Sequence, residues 1–455
     1  MLTRRTLVLG LASGIAACAA GCARLVAPPG DAATPAPSPE TPAAMAPLPT
    51  TPAGATTQHA GAAATAISGN ALPRTDPSAT AVRNAVPTPP TSTGANGATT
   101  APAAPTPVNQ VALDIRLWNG TADVQLDGRS VDPGHHVVDA GATHHVAALV
   151  DGQVVATTDA PPDGGAVDLV VPPPLASLAI MIENQADARP QTGLTHADVV
   201  YEALAEGGIT RFIALYLSAN ASRVGPVRSL RHYFAFWAAE YGADVVHIGA
   251  SPEGYAWRNA LNMGHLDETY GEPGIWRVGT RPPPHNAYTD TAADRGFLQQ
   301  RGRQHNYSWG PLLFSETAPL GRLQATDINL SFRPWAYRVD YAWDASRARY
   351  LRRMEGSPHL DADTGEQIAP ASVVVEFAEV DAIPNDPKYR LDVNLAGGGG
   401  QLVVFSSGTR RDGNWIKTDP RSPSVWLDVG GNPIVLPPGP VWVEVLPNGS
   451  PLYVS

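Results

Sequence analysis

Along residues 209–217 apolar and polar positions alternate. Ile209, Arg211, Ile213, Leu215 and Leu217 share one face of a predicted strand, with a single guanidinium in an otherwise apolar row. The stretch before it, THADVVYEALAE (195–206), has a different spacing. Ala197, Val200, Tyr201 and Leu204 recur at helical intervals, Thr195 and Asp198 have capping-box spacing, and Gly207 falls where a C-cap belongs. This pattern predicts a helix over 195–206. In that helix Asp198, Glu202 and Glu206 stack at i,i+4 on one stripe, where like charges cost roughly 0.2–0.5 kcal/mol per pair.

The same reading extends in both directions. LASLAIMIEN is a strand, VGPVRSLRHYFAFWAAEYGA opens on a Gly-Pro turn and becomes a helix, DVVHIGAS is a strand, and PEGYAWRNALNMG is a helix. Strands and helices thus alternate from 175 to about 320. Beyond 335 the pattern turns to strands, among them AYRVDYAWD, ARYLRRM, SVVVEFAEV, GQLVVFSSGT and VWVEVLP, broken by Gly, Pro and Asp turns. Residues 108–174 read as a small all-β, sandwich-like module whose Asp-Gly pairs mark hairpin turns. It resembles the Ig-like or PEGA-type modules of envelope proteins. Its histidine pairs, His135/His136 and His144/His145, point to opposite strand faces and so do not predict a chelate.

Composition changes the picture at the N-terminus. The 455 residues include 45 prolines and 43 glycines, and residues 23–107 are mostly Ala, Pro, Thr, Gly and Ser, which predicts a disordered tether. As a random coil it would span roughly 50 Å. Before it, MLTRR and TLVLGLASGIAA form the basic and apolar regions of a signal, too short to span a bilayer. AAGC ending at Cys22 reads as a lipobox, so residues 1–22 are expected to be a lipoprotein signal with Cys22 as lipid anchor. IAAC ending at Cys18 also fits, and TRRTLVL leaves twin-arginine export open. No other cysteine exists, so no disulfide or thiolate site is expected downstream. A net charge of −11 argues against nucleic acid.

The candidate chemistry lies in four stretches. Arg211 in its apolar row requires a partner, and Glu202 or Glu206 is the natural one, either as a structural ion pair or as part of a ligand site. Arg228 and Arg231, with Ser229, are expected on the first turn of a helix, a ready anion site. Their charge is balanced either by the acidic stripe or by a bound anion. HIGAS (247–251) ends a strand where open α/β sheets place ligands, but Gly249-Ala250-Ser251-Pro252-Glu253 does not match a nucleophile elbow. RPPPHNAY presents His285 and Asn286 on a proline-stiffened loop. HLDADTGEQI (359–368) lacks the EF-hand spacing and reads as a hairpin turn. His265, Asp267 and His285 lack a recognised metal spacing, so neither metal nor cofactor is predicted.

Several separate segments, MIENQADARPQTGLTHADVVYEALAEGGITRF, GPVRSLR, RPPPHNAY, GQLVVFSSGT, GNWIKTD and LPPGPVWVEVLP, occur in an order that resembles the YerB-like family of bacterial lipoproteins, over about 175–455. The resemblance implies an α+β fold of layered sheets and helices, with an N-terminal α/β domain (175–325) and a C-terminal β-rich domain (326–455). It also implies an exported protein anchored on the extracytoplasmic face of the membrane. The family as a class has no established catalytic activity. The expectation is a lipoprotein that binds or scaffolds a glycan or anionic component of the cell envelope. Its cleft would be built from Glu202, Glu206, Arg211, Arg228, Ser229, Arg231, His285 and Asn286, with Trp276 and Tyr288 as stacking platforms. The alternative is an envelope-glycan hydrolase in which Glu202 faces Glu183 or Asp267 across about 5–10 Å.

Overall fold

A computed structural model describes residues 110–455 except 305, 334 and 335. The signal segment with Cys18 and Cys22 and the tether lie outside the described residues.

The first strands form two small sheets. β1 (Gln110–Trp118) pairs with β4 (Gly134–Asp139) and β7 (Gly165–Val170), and β2 (Asp123–Leu126) lies between β3 (Arg129–Val131) and β5 (His144–Val150), with β6 (Gln153–Ala160) beyond β5. Leu113, Ile115, Val124, Val146 and Leu169 fill the space between them. The two-residue turns Asp127-Gly128 and Asp151-Gly152 have φ of 50°/76° and 51°/75°. Both are the left-handed pair that a type I′ hairpin requires. In the adjacent pair His144 and His145, His144 is buried and His145 exposed, as strand alternation requires.

The rest is organised on an eleven-stranded sheet. Its first half contains β8 (Leu178–Glu183), β9 (Val199–Leu204), β10 (Thr210–Tyr216), β11 (Asp244–His247) and β12 (His265–Asp267), in the order β12-β11-β8-β10-β9. Three α-helices, α1 (His232–Glu240), α2 (Pro252–Ala260) and α3 (Thr291–Gln300), belong to this half. The second half supplies β13 (Asp327–Arg333), β14 (Ala336–Asp344), β15 (Arg349–Met354), β16 (Ser372–Ala378), β17 (Gly398–Ser406), β18 (Thr409–Lys417), β19 (Val425–Asp428), β20 (Val441–Pro447) and β21 (Leu452–Val454). β20 runs parallel to β9 from Val441↔Val199 to Ala203↔Val445, so one sheet continues through β20, β16, β17 and β18. β13, β14, β15 and β21 form a separate sheet, whose Ile328, Leu330, Val339 and Tyr341 pack on Val373, Val375, Val403 and Phe405. The architecture is mostly sheet with few helices, broadly the expected α+β class.

The helix expected over 195–206 does not form. Residues 194–196 make one 3-10 turn, and 199–204 are a strand buried at every position. Burial on both faces removes the alternation that would have signalled a strand. The acidic stripe therefore does not exist. Asp198 accepts from the backbone N–H groups of Leu217 (2.6 Å) and Ser218 (2.9 Å), Glu202 points into the interior, and Glu206 starts a second 3-10 turn. The helix expected at 228–231 also begins later. Arg231 is the extended N-cap of α1 and Arg228 lies in the loop before it.

Candidate functional site

The parallel strands β8, β11 and β12 end at one edge of the sheet, on Glu183, His247 and Asp267. β10 runs the opposite way and enters at the same edge with Arg211, directly across from Glu183. The loop 224–231 lies over this edge. Its backbone is fixed by Arg228 N–H to Met181 O (2.9 Å), Val227 N–H to Ala287 O (2.8 Å), Leu230 N–H to Gly249 O (3.0 Å) and Ile248 N–H to Arg228 O (3.1 Å). Gly225 is needed at the closest approach, because a Cβ there would lie 2.5 Å from Ala287 O at a φ of 154°.

Three groups of ionisable side chains follow one another along this edge. In the first, Glu206 accepts from Arg211 Nη2 (3.1 Å) and from Arg231 Nε (2.8 Å) and Nη2. Burial pushes the Glu206 carboxyl up, but the Arg211 and Arg231 charges outweigh it and hold its pKa at about 2. Arg211 Nη1 also donates to Ser229 O at 2.9 Å, so Ser229 contributes its carbonyl to the cluster. In the second, Glu183 takes Arg228 Nη2 at 2.8 Å on one oxygen and pairs with His285 Nδ1 at 2.8 Å on the other. In the third, buried Asp267 accepts from Gly249 N–H (2.8 Å), Thr269 N–H (3.1 Å) and Tyr255 O–H (3.0 Å), with His247 at 3.7 Å and Arg258 at 3.9 Å. Burial drives the His247 imidazole down to about 4 despite Asp267, so it is neutral at pH 7.

The charges do not balance. Glu206, Glu183 and Asp267 face Arg211, Arg231, Arg228 and Arg258, and Glu206 alone serves two guanidinium groups. Among the described residues Arg211 Nε is buried without a hydrogen-bond partner, and Arg228 bonds through Nη2 alone while keeping part of its side chain open to solvent. Among these seven side chains guanidinium groups outnumber carboxylates by four to three.

Six of the eight residues named from the sequence meet in the first two groups: Glu206, Arg211, Arg228, Ser229, Arg231 and His285. Asn286 stands next to them, accepting from Arg277 Nη1 at 3.0 Å and donating to Val278 O at 3.0 Å. Glu202 is elsewhere. It shares its strand face with Val200, whereas Glu183 shares the opposite sheet face with Met181. Glu202 therefore does not face Glu183 across a groove. It accepts from Asn184 Nδ2 (2.9 Å) and from Arg352 Nη2 on β15, and Arg352 lies 3.6 Å from Glu444 on β20. Neither Arg352 nor Glu444 was singled out from sequence. The rule applied to Arg211, a lone charge in an apolar strand, applies equally to Glu444 in VWVEVLP. Of the two expected stacking platforms, Trp276 is 39% exposed while Tyr288 is 1% exposed and lies under the Arg223 guanidinium at 4.3 Å.

Residues 172–304 match the N-terminal domain, and residues 328–443 the C-terminal domain, of the family described as protein of unknown function DUF3048. The chain is 31% identical over 281 residues to a candidate lipoprotein, YerB, of Bacillus subtilis (strain 168), covering 60% of this chain and 81% of that protein. It is also similar to the crystal structure of the YerB protein from Bacillus subtilis, with a TM-score of 0.54 and 28% identity over 61% of this chain and 93% of the other. Both family domains in order, and a relative matched over four-fifths of its length, place this chain in the YerB-like family.

Proposed function

We propose that the protein is a lipoprotein, anchored through Cys22 on the extracytoplasmic face of the membrane, that binds or scaffolds an anionic glycan of the cell envelope. The relative named as a candidate lipoprotein supports the anchor. The observation that carries the ligand reading is the excess guanidinium along the carboxyl edge of β8, β11 and β12. Glu206 is divided between Arg211 and Arg231, and Arg228 stands beside His285 with donors to spare. Such edges are where open α/β sheets take ligands, and guanidinium groups pair with carboxylates or phosphates through charge-assisted hydrogen bonds. The alternative, a hydrolase using two carboxylates, draws less support. Glu183 and Asp267 are both engaged by protein donors, and Glu202 is on the other face.

Calorimetric titration of the full chain with a galacturonate oligosaccharide tests the ligand. Saturable binding is expected, weakened at least tenfold by Arg228→Ala with the fold intact, and weakened by added salt. Absence of saturable binding, or equal affinity in the variant, would overturn the reading. Release of the Cys22→Ala chain from the membrane fraction is expected on the anchoring side.

A further inference from the structure

We infer a second binding site, for an uncharged oligosaccharide, in the cleft between the N-terminal β module and the YerB-like part of the chain. The module lies before the residues matched by the family, and Asn119 at the end of β1 holds it in place. Asn119 Nδ2 donates to Leu312 O at 2.9 Å, Asn119 Oδ1 accepts from Phe314 N–H at 2.6 Å, and Trp309 Nε1 donates to Val171 O at 3.1 Å. Beside this junction the surfaces separate to enclose about 690 Å³. That volume falls within the range of about 300–1,000 Å³ occupied by small-molecule sites.

The walls say which ligand fits. Leu117 and Thr121 come from the module, and His196, Trp309, Phe314 and Glu316 from the opposite side. Trp309 and Phe314 stand edge to face, with ring centroids 5.5 Å apart, as an apolar wall. Thr121, His196 and Glu316 are exposed and supply hydrogen-bonding groups around that wall. Among the described residues that line it there is no arginine or lysine, so these walls offer no cation to an acidic ligand. The second lining carboxylate, Asp198, is already satisfied by Leu217 and Ser218. Aromatic surface flanked by the Thr121 hydroxyl, the His196 imidazole and the Glu316 carboxylate, which accepts from hydroxyl groups, suits the apolar faces and hydroxyl groups of an uncharged sugar. The cleft is thus opposite in electrostatic character to the arginine-rich edge.

Titration of the full chain with chitotetraose, an uncharged probe, tests the assignment. Saturable binding is expected, reduced at least tenfold by Thr121→Trp, which fills the cleft from an exposed position. Val137→Trp, on an exposed site of the module outside the cleft, should leave affinity unchanged. Arg228→Ala should also leave it unchanged, which separates this site from the acidic-glycan edge. No binding by the wild type, or retained binding in a folded Thr121→Trp variant, would overturn the site. Tighter binding of the fully de-acetylated, cationic tetramer than of chitotetraose would overturn the ligand class.

Discussion

Glu202 and Glu444 lie directly opposite each other in the parallel register of β9 and β20, and both reach a single guanidinium, that of Arg352. All three side chains are fully buried. Burial and the neighbouring Glu202 charge push the Glu444 carboxyl well above its ordinary range, so the cluster holds one ion pair and one neutral acid. Tyr341 O–H donates to Glu444, and the Arg352 guanidinium lies 4.3 Å from the Trp442 ring centroid. Arg352 also donates to His359 Nδ1, which burial and the Arg352 charge keep neutral, and His359 Nε2–H donates to Gln191 Oε1 at 2.9 Å. This network ties strands of both family regions together through polar contacts among buried side chains.

Removing Arg352 leaves the Glu202 charge buried and alone. Arg352→Met is expected to destabilise the chain by about 3–5 kcal/mol, because Glu202 loses its cation. Glu202→Gln should cost less, because Glu444, 3.6 Å from Arg352, can release its proton and take over the pairing. The double variant Glu202→Gln/Arg352→Met should lose clearly less than the sum, since it leaves no uncompensated charge. Urea denaturation monitored by tryptophan fluorescence measures all three, and simple additivity would contradict the pairing.

Glu206 predicts the acid limb of the stability curve. Its folded pKa of about 2 lies below its ordinary value of 4.5. Its contribution is therefore complete above about pH 4.5 and lost as the pH falls toward 2. With about 1.4 kcal/mol for each tenfold change in proton affinity, the loss is on the order of 3 kcal/mol. Glu206→Gln should lose that amount at pH 7 and flatten the stability profile between pH 4.5 and 2. Unfolding free energies at pH 3 and pH 7 for both proteins decide the matter.

Asp294 has the opposite sign. It is buried on α3, with Thr289 Oγ1 at 2.8 and 2.7 Å from its two oxygens, and burial pushes its pKa from 3.8 to about 7. The folded chain then holds a proton that the unfolded chain has released, so stability falls as the pH rises from about 4 to 7. Asp294→Asn should remove that slope and stabilise the protein at pH 8 relative to wild type. A melting-temperature series from pH 4 to 8 checks it, and parallel profiles for the two proteins would refute it.

What the sequence made legible follows from where each signal lives. Arg211 stood out because its neighbours at i±2 are apolar, and its need for a carboxylate is met by Glu206, five residues away. Turns announced by Asp127-Gly128 and Asp151-Gly152 depend on local dihedrals and were readable for the same reason. Strand 199–204 was misread because a strand covered on both faces shows no period of two, and Val200, Tyr201 and Leu204 imitate a helical stripe. Glu202 looked like part of an acidic helix stripe beside a cleft because its cation, Arg352, is 150 residues away in the chain. A partner at that separation leaves no trace in local spacing; only the register of β9, β20 and the overlying β15 brings it near.

The docking of the β module provides the last prediction. Asn119 sits at a φ of 64°, a left-handed position that asparagine tolerates better than most residues. Its side chain satisfies Leu312 O and Phe314 N–H, which belong to two buried residues. Asn119→Gly keeps the backbone conformation accessible but leaves both groups without their partner, at about 1–3 kcal/mol for each that stays dry. Asn119→Asp retains the acceptor for Phe314 N–H and loses the donor to Leu312 O, so it should lie between wild type and the glycine variant. The module has its own core of Leu113, Ile115, Val146 and Leu169, which neither substitution touches. The loss should therefore appear as undocking and not as unfolding of the module. Hydrogen exchange should quicken at Phe314 N–H and along 171–177, while amides of β5 and β6 stay protected. Faster exchange throughout the module in Asn119→Gly would mean that its fold depends on the junction, and unchanged exchange at Phe314 would mean that Asn119 does not hold it there.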